Sequence, residues 1–168
     1  MKYPHQPFLN PSYLCLLALV FGPLAMAISS ESLWGFKPCH LCMIQRIPYA
    51  VMTMLVIFQG LIRSKTWMWL LLMVGFIAST IAASYHVGVE KGLIALSEGC
   101  LGAPSTAKTS QQLLQELLSE TKPRCDKPTM ILGFSMATWN LAYSAAMVFY
   151  FGFLTSISFK SAKRIQHD

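Results

Sequence analysis

Charge is what this chain has least of. Only 12% of its 168 residues are Asp, Glu, Lys or Arg, while 54% are hydrophobic. An ordinary soluble domain carries about twice that share of charge. The deficit excludes a soluble globule and implies one compact membrane domain. Acidic residues are scarcest, 7 against 13 basic, for a net charge of +6. No basic stripe with interleaved aromatics accompanies the excess, so it is not a nucleic-acid footprint. Internal repeats and low-complexity tracts are absent. There is no C-x-x-C-H, because Met43 follows Cys42, so a c-type haem site is excluded.

What the chain does have is long apolar runs. Four are long enough to cross a bilayer, which takes about 20 residues of helix. They lie near residues 13–30, 44–62, 66–86 and 130–156, with a polar stretch over 87–129. The expected fold is all-α, a four-helix transmembrane bundle with one long outward-facing loop. "GPLAMAISS" carries an Ala-x-Ala pattern like a signal-peptidase site. The run before it is long for a signal sequence and its flank has a single Lys, so the span is read as retained.

The basic residues give the orientation. Lys2, Arg63, Lys65, Lys160, Lys163 and Arg164 fall in the tails and in the tight connection between the second and third runs. Cytoplasmic loops concentrate Lys and Arg. Both termini and that connection are therefore expected in the cytoplasm, and the long loop outside. In the loop, Lys91, Lys108, Lys122, Arg124 and Lys127 balance Glu90, Glu98, Glu116, Glu120 and Asp126. Within it, "SQQLLQELLSET" (110–121) puts leucines 113, 114, 117 and 118 on one helical face. A short amphipathic helix is expected there, lying on the membrane surface or packed on the bundle.

Of the five cysteines, Cys15 lies inside the first run and reads as a small hydrophobe. Cys39, Cys42, Cys100 and Cys125 all fall on the outward side, an oxidising space in a bacterium. Zinc is a poor reading, since structural sites build two short-spaced pairs and only one is present. Four cysteines leave three connectivities open. A Cys100–Cys125 bond alone would be a staple, contributing about 3 kcal/mol on chain-entropy grounds. A C-x2-C pair constrains little chain and is a redox pair more often than a staple. With two pairs on one face, thiolate attack on a disulfide can pass oxidising equivalents between them.

"KPCHLCMIQR" (37–46) holds the close pair. Pro38 cannot continue a helix backwards, and Cys42 falls near the start of the second span. Free N–H groups there favour a thiolate at Cys42. If residues 42–46 are helical, Arg46 lies one turn on, about 6 Å along the axis. Its charge opposes the positive-inside trend, and an ionisable group at membrane depth is a functional candidate.

These residues carry a resemblance. "KPCHLCMIQRIPYA", "SYHVGVE" after the third run, Cys100, and "CDKPTMILGFSMATWN" leading into the fourth resemble the DsbB family of disulfide-bond formation proteins. The resemblance covers nearly the whole chain, and C-x-L-C-x-x-Q-R-x-P-Y is its most specific piece. It implies a bacterial inner-membrane oxidoreductase that reoxidises a soluble, periplasmic, DsbA-like thioredoxin-fold oxidase and passes the electrons to a membrane quinone, ubiquinone or menaquinone. Cys100 would form the mixed disulfide with the partner, and Cys125 would relay electrons to Cys39. Cys42 would face the quinone, with Arg46 holding or polarising it. His86, in "YHVGVE", is a quinone contact or a helix-end histidine bonded to a carbonyl. The partner oxidase is itself strongly oxidising, at about −120 mV, so few thiol couples can reoxidise it and a quinone supplies the driving force. Two rivals are a vitamin K epoxide reductase-like enzyme and a scaffold with two structural disulfides. The first usually carries its C-x-x-C late in the bundle, whereas here the motif precedes the second span.

Overall fold

The computed structural model describes residues 11–59, 65–97, 100, 109–111, 114 and 123–165. In lipid, a spanning segment must satisfy its backbone groups internally, which for apolar runs like these means a helix. Among the described residues, four helices are long and apolar enough to cross a membrane. They are α1 (Pro11–Trp34), α2 (His40–Ile57), α3 (Lys65–Glu90) and α4 (Met136–Ile165).

Neighbours in sequence are neighbours in space. α2 packs on α1 and on α3, and α3 lies along most of α4. The Tyr143 hydroxyl of α4 donates to the Leu19 carbonyl of α1 at 2.6 Å, which closes the bundle. The core is aromatic at its centre. Phe76 and Phe151, both fully buried, stack with centroids 5.4 Å apart. Tyr49 and Tyr143 set their edges against Phe76 at 5.9 and 6.3 Å, the arrangement ring quadrupoles favour. Phe21, Met26, Val51, Ile81, Phe149 and Phe153 point outward and are exposed. Such an apolar exterior belongs in contact with lipid.

Helix boundaries depart from the sequence expectation in ways that matter for function. α2 starts at His40 rather than near 44, and α3 runs to Glu90 rather than 86. Pro48 lies well inside α2, where it lacks the N–H that would bond the Ile44 carbonyl. The fourth span needs a larger correction. Residues 130–135, expected as its first turns, form a hairpin of β1 (Met130–Ile131) and β2 (Phe134–Ser135). Leu132 and Gly133 at its tip have φ of 51° and 84°, the left-handed pair that a two-residue hairpin turn requires. The Ser135 hydroxyl then accepts from the Thr138 N–H at 3.1 Å and starts α4 one residue later. Of the amphipathic helix expected over 110–121, Ser110, Gln111 and Leu114 are helical, and the rest lies outside the described residues.

After α3 the chain folds back on itself. The Leu93 and Ile94 N–H groups both donate to the Gly88 carbonyl, at 2.9 and 3.2 Å. This return brings Leu96 onto the end of the bundle and leads into Cys100.

Candidate active site

The site forms where α2 begins. Cys39 is the N-cap of α2, in extended conformation, and its sulfur accepts the Cys42 backbone N–H at 3.2 Å. Pro38 fits immediately before such a cap. The two sulfurs stand 2.7 Å apart, inside van der Waals contact. Two thiolates sharing one zinc at about 2.3 Å each would stand about 3.8 Å apart at a tetrahedral angle. The pair as it stands is closer than that, at a spacing suited to sulfur–sulfur chemistry. His86 approaches from α3, with Nε2 3.6 Å from the Cys39 sulfur. The three groups lie within 4.8 Å of one another.

The field of the helix start, expected at Cys42, falls on Cys39, because residue 39 is the one that precedes the helix. The Cys42 thiol, then the His86 ring and the Cys42 N–H, hold the Cys39 thiol far below its ordinary range, at about 4, against the burial that pushes it up. This geometry favours the thiolate form at Cys39.

Cys100 and Cys125 are joined in a disulfide, with Cα atoms 5.2 Å apart, while Cys39 and Cys42 are free. Both pairs belong to one buried cluster, in which Cys39, Leu41, Val89, Cys100 and Cys125 pack together with Cys42 and Leu96 against them. All four candidate cysteines therefore meet at one end of the bundle. Cys15 is apart from them, exposed on α1.

Arg46 shares a face of α2 with Cys42, one turn further along, because helix geometry now holds from His40. Its guanidinium donates to the Glu31 carboxylate of α1, a partner that sequence reasoning missed. His86 is also better connected than expected. Its Nδ1 lies 3.1 Å from Gln45 Nε2, and its Nε2 lies 3.7 Å from the Glu90 carboxylate. Gln45 continues to Asn140 at 3.0 Å, and Asn140 to the Tyr49 hydroxyl at 2.7 Å. Gln45 and Tyr49 stand inside the C-x-L-C-x-x-Q-R-x-P-Y stretch and Asn140 ends "ATWN". Polar residues in apolar spans were the available signal for all three.

The family model for Disulfide bond formation protein DsbB matches residues 10–154. The chain belongs to the DsbB family. Among curated relatives, Disulfide bond formation protein B of Xylella fastidiosa is 29% identical over 162 residues, in both strain Temecula1 and strain 9a5c, covering 89% of this chain and 91% of the relative. An uncharacterized protein, RP370, of Rickettsia prowazekii is 26% identical over 145 residues, 84% of each chain. No solved structure matches. As a DsbB-family member with four spanning helices, the chain is a multi-pass membrane protein and a disulfide-forming oxidoreductase.

Proposed function

We propose that this protein reoxidises a soluble DsbA-like thioredoxin-fold oxidase in the periplasm and delivers the electrons to a membrane quinone. What carries this reading is the meeting of two cysteine pairs in one buried cluster, one pair bonded and the other at a helix start. The partner's dithiol reduces the Cys100–Cys125 disulfide through a mixed disulfide and leaves as a disulfide. The Cys100–Cys125 dithiol then reduces a Cys39–Cys42 disulfide, again by thiolate attack and leaving thiolate. Quinone, as the terminal substrate, takes two electrons and two protons from the Cys39–Cys42 dithiol and leaves as hydroquinone.

The surface beside Cys42 suits such a substrate. Arg46 offers fixed N–H donors, and Met43, Ile44 and Ile47 next to it are exposed and apolar. A carbonyl-bearing ring with a hydrocarbon tail needs both. Orientation is supported by charge. Lys65 opens α3, and Lys160 and Lys163 lie in the last turns of α4, so these basic residues stand at the end of the bundle opposite the cysteines. With basic residues inside, the cysteine cluster faces the periplasm.

The test uses purified full-length protein with bound quinone. Adding a reduced thioredoxin-fold oxidase should bleach the oxidised quinone absorbance. No bleaching, or bleaching that survives Cys42→Ser, ends this reading.

A further inference from the structure

A line of polar side chains runs through the bundle to Cys39. The Tyr49 hydroxyl meets Asn140 Oδ1 at 2.7 Å, and Asn140 Nδ2 meets Gln45 Oε1 at 3.0 Å. Gln45 Nε2 meets His86 Nδ1 at 3.1 Å, and His86 Nε2 meets the Cys39 sulfur at 3.6 Å. Gln45 and His86 are only 7% and 3% exposed. A polar group left unpaired at that depth keeps its full desolvation penalty. The donors in such a line therefore run in one direction throughout.

One backbone atom selects the direction. The Ala82 carbonyl of α3 lies 3.5 Å from Gln45 Nε2. A carbonyl only accepts, so the end of Gln45 facing α3 must be its NH2, with one hydrogen for Ala82 and the other for His86. His86 Nδ1 is then an acceptor, and the neutral ring carries its proton on Nε2. At its other end, the Gln45 oxygen demands the NH2 of Asn140, whose oxygen in turn takes the Tyr49 proton. The surroundings of Nε2 agree independently. The groups facing it are the Cys39 sulfur from the start of α2 and the Glu90 carboxylate, at 3.7 Å, from its own helix, and both accept.

We propose that Asn140, Gln45 and Tyr49 are positioning residues that fix His86 in its Nε2–H tautomer, aiming that N–H at the Cys39 sulfur to hold the negative charge it carries when the pair is reduced. The inference rests on reading Cys39 and Cys42 as the redox pair, and it deepens that reading. It gives α4, which contributes no cysteine and no charge to the site, a defined part in it through Asn140. It also gives His86 a thiolate, rather than the quinone, as its partner. The Tyr49 hydroxyl is the last donor of the line, so a residue on α2 itself anchors the far end.

Isotope-labelled full-length protein, reduced and in lipid, provides the test. The nitrogen shifts of the His86 ring should show a bare Nδ1 and a protonated Nε2. A protonated Nδ1 in the wild type overturns the proposal, and that measurement needs no variant. Gln45→Glu keeps the side chain's size but offers His86 only an acceptor when ionised, so the ring proton should move to Nδ1. If Nδ1 stays bare there, residue 45 is not the selector and the proposal fails. Asn140→Leu leaves the Gln45 oxygen without its donor. It should let an Nδ1–H population appear and move the Cys39 Cβ titration midpoint up by about one pH unit. A purely structural Asn140 would lower thermal stability and move neither signal. None of these readouts needs quinone or partner oxidase. Protein that shows them yet fails to bleach quinone sinks the proposed function alone.

Discussion

At the scale of single residues, the two sulfurs of one motif differ because one lies before the helix and the other inside it. Cys39 receives the Cys42 thiol, the Cys42 N–H and the His86 ring. Its pKa is lowered, so its thiolate persists as pH falls, until pH passes through the lowered value. In the reduced protein its Cβ shift should thus be that of a thiolate throughout the range from about pH 6 to 8, where an ordinary thiol with pKa about 8.5 is mostly protonated. A midpoint near the ordinary value would count against the site geometry. Arg46 presents a different balance. Its pair with Glu31 is partly exposed, with side chains 19% and 30% accessible, and such pairs contribute under about 1 kcal/mol. Glu31→Gln should therefore barely shift the melting temperature. Arg46→Ala should raise the apparent KM for quinone about tenfold, near 1.4 kcal/mol of binding, while both disulfides still form. An unchanged KM removes Arg46 from the quinone surface. The C-x2-C spacing and the register of Arg46 were legible in the sequence because both are local to one helix. The Glu31 partner and the Gln45–Asn140 contact were not. They join residues 15 and 95 positions apart, and only the packing of one helix on another sets them.

At the scale of elements, the helices themselves were legible as apolar runs, while their ends were set by backbone detail that hydropathy does not register. "MILGFS" is as apolar as a span, yet Leu132, a non-glycine residue at positive φ, turns it into a hairpin. At the start of α2 the reverse holds, since a cysteine rather than Ser or Asp caps the helix and no standard cap signal marks it. The fit of α2 on α3 depends on a small residue. A Cβ at Gly75 would stand 2.6 Å from both Cγ and Sδ of Met52, which is itself 1% exposed and has little room to withdraw. Close backbone approach at small residues is how membrane helices pack. Gly75→Ala should cost about 1–3 kcal/mol by overpacking. Adding Met52→Ala should recover part of that loss, and the double-mutant cycle measures the coupling. Additive losses would mean that the two residues do not share this contact.

At the scale of the whole molecule, the bundle gathers Cys39, Cys42, Cys100 and Cys125 at one end, and the disulfide between Cys100 and Cys125 has two possible jobs. As a staple, it closes a loop with sequence separation 25 and contributes about 3.5 kcal/mol on the chain-entropy model. As a relay, it is the group that the partner oxidase attacks. The double variant Cys100→Ser/Cys125→Ser separates the two. The helices that build the inner site pack without the loop, since the aromatic core lies among α2, α3 and α4. Cys39 and Cys42 should therefore still be oxidised by quinone in that variant, as mass shifts after thiol alkylation would show. Oxidation of the reduced partner should fall to background, because the thiolate of the partner has lost the disulfide it reacts with. A pure staple predicts a different pattern, in which partner oxidation declines only as far as the folded fraction does and returns when temperature is lowered. Partner turnover that survives the double variant at low temperature would leave the Cys39–Cys42 pair as the direct acceptor and confine Cys100 and Cys125 to holding the loop.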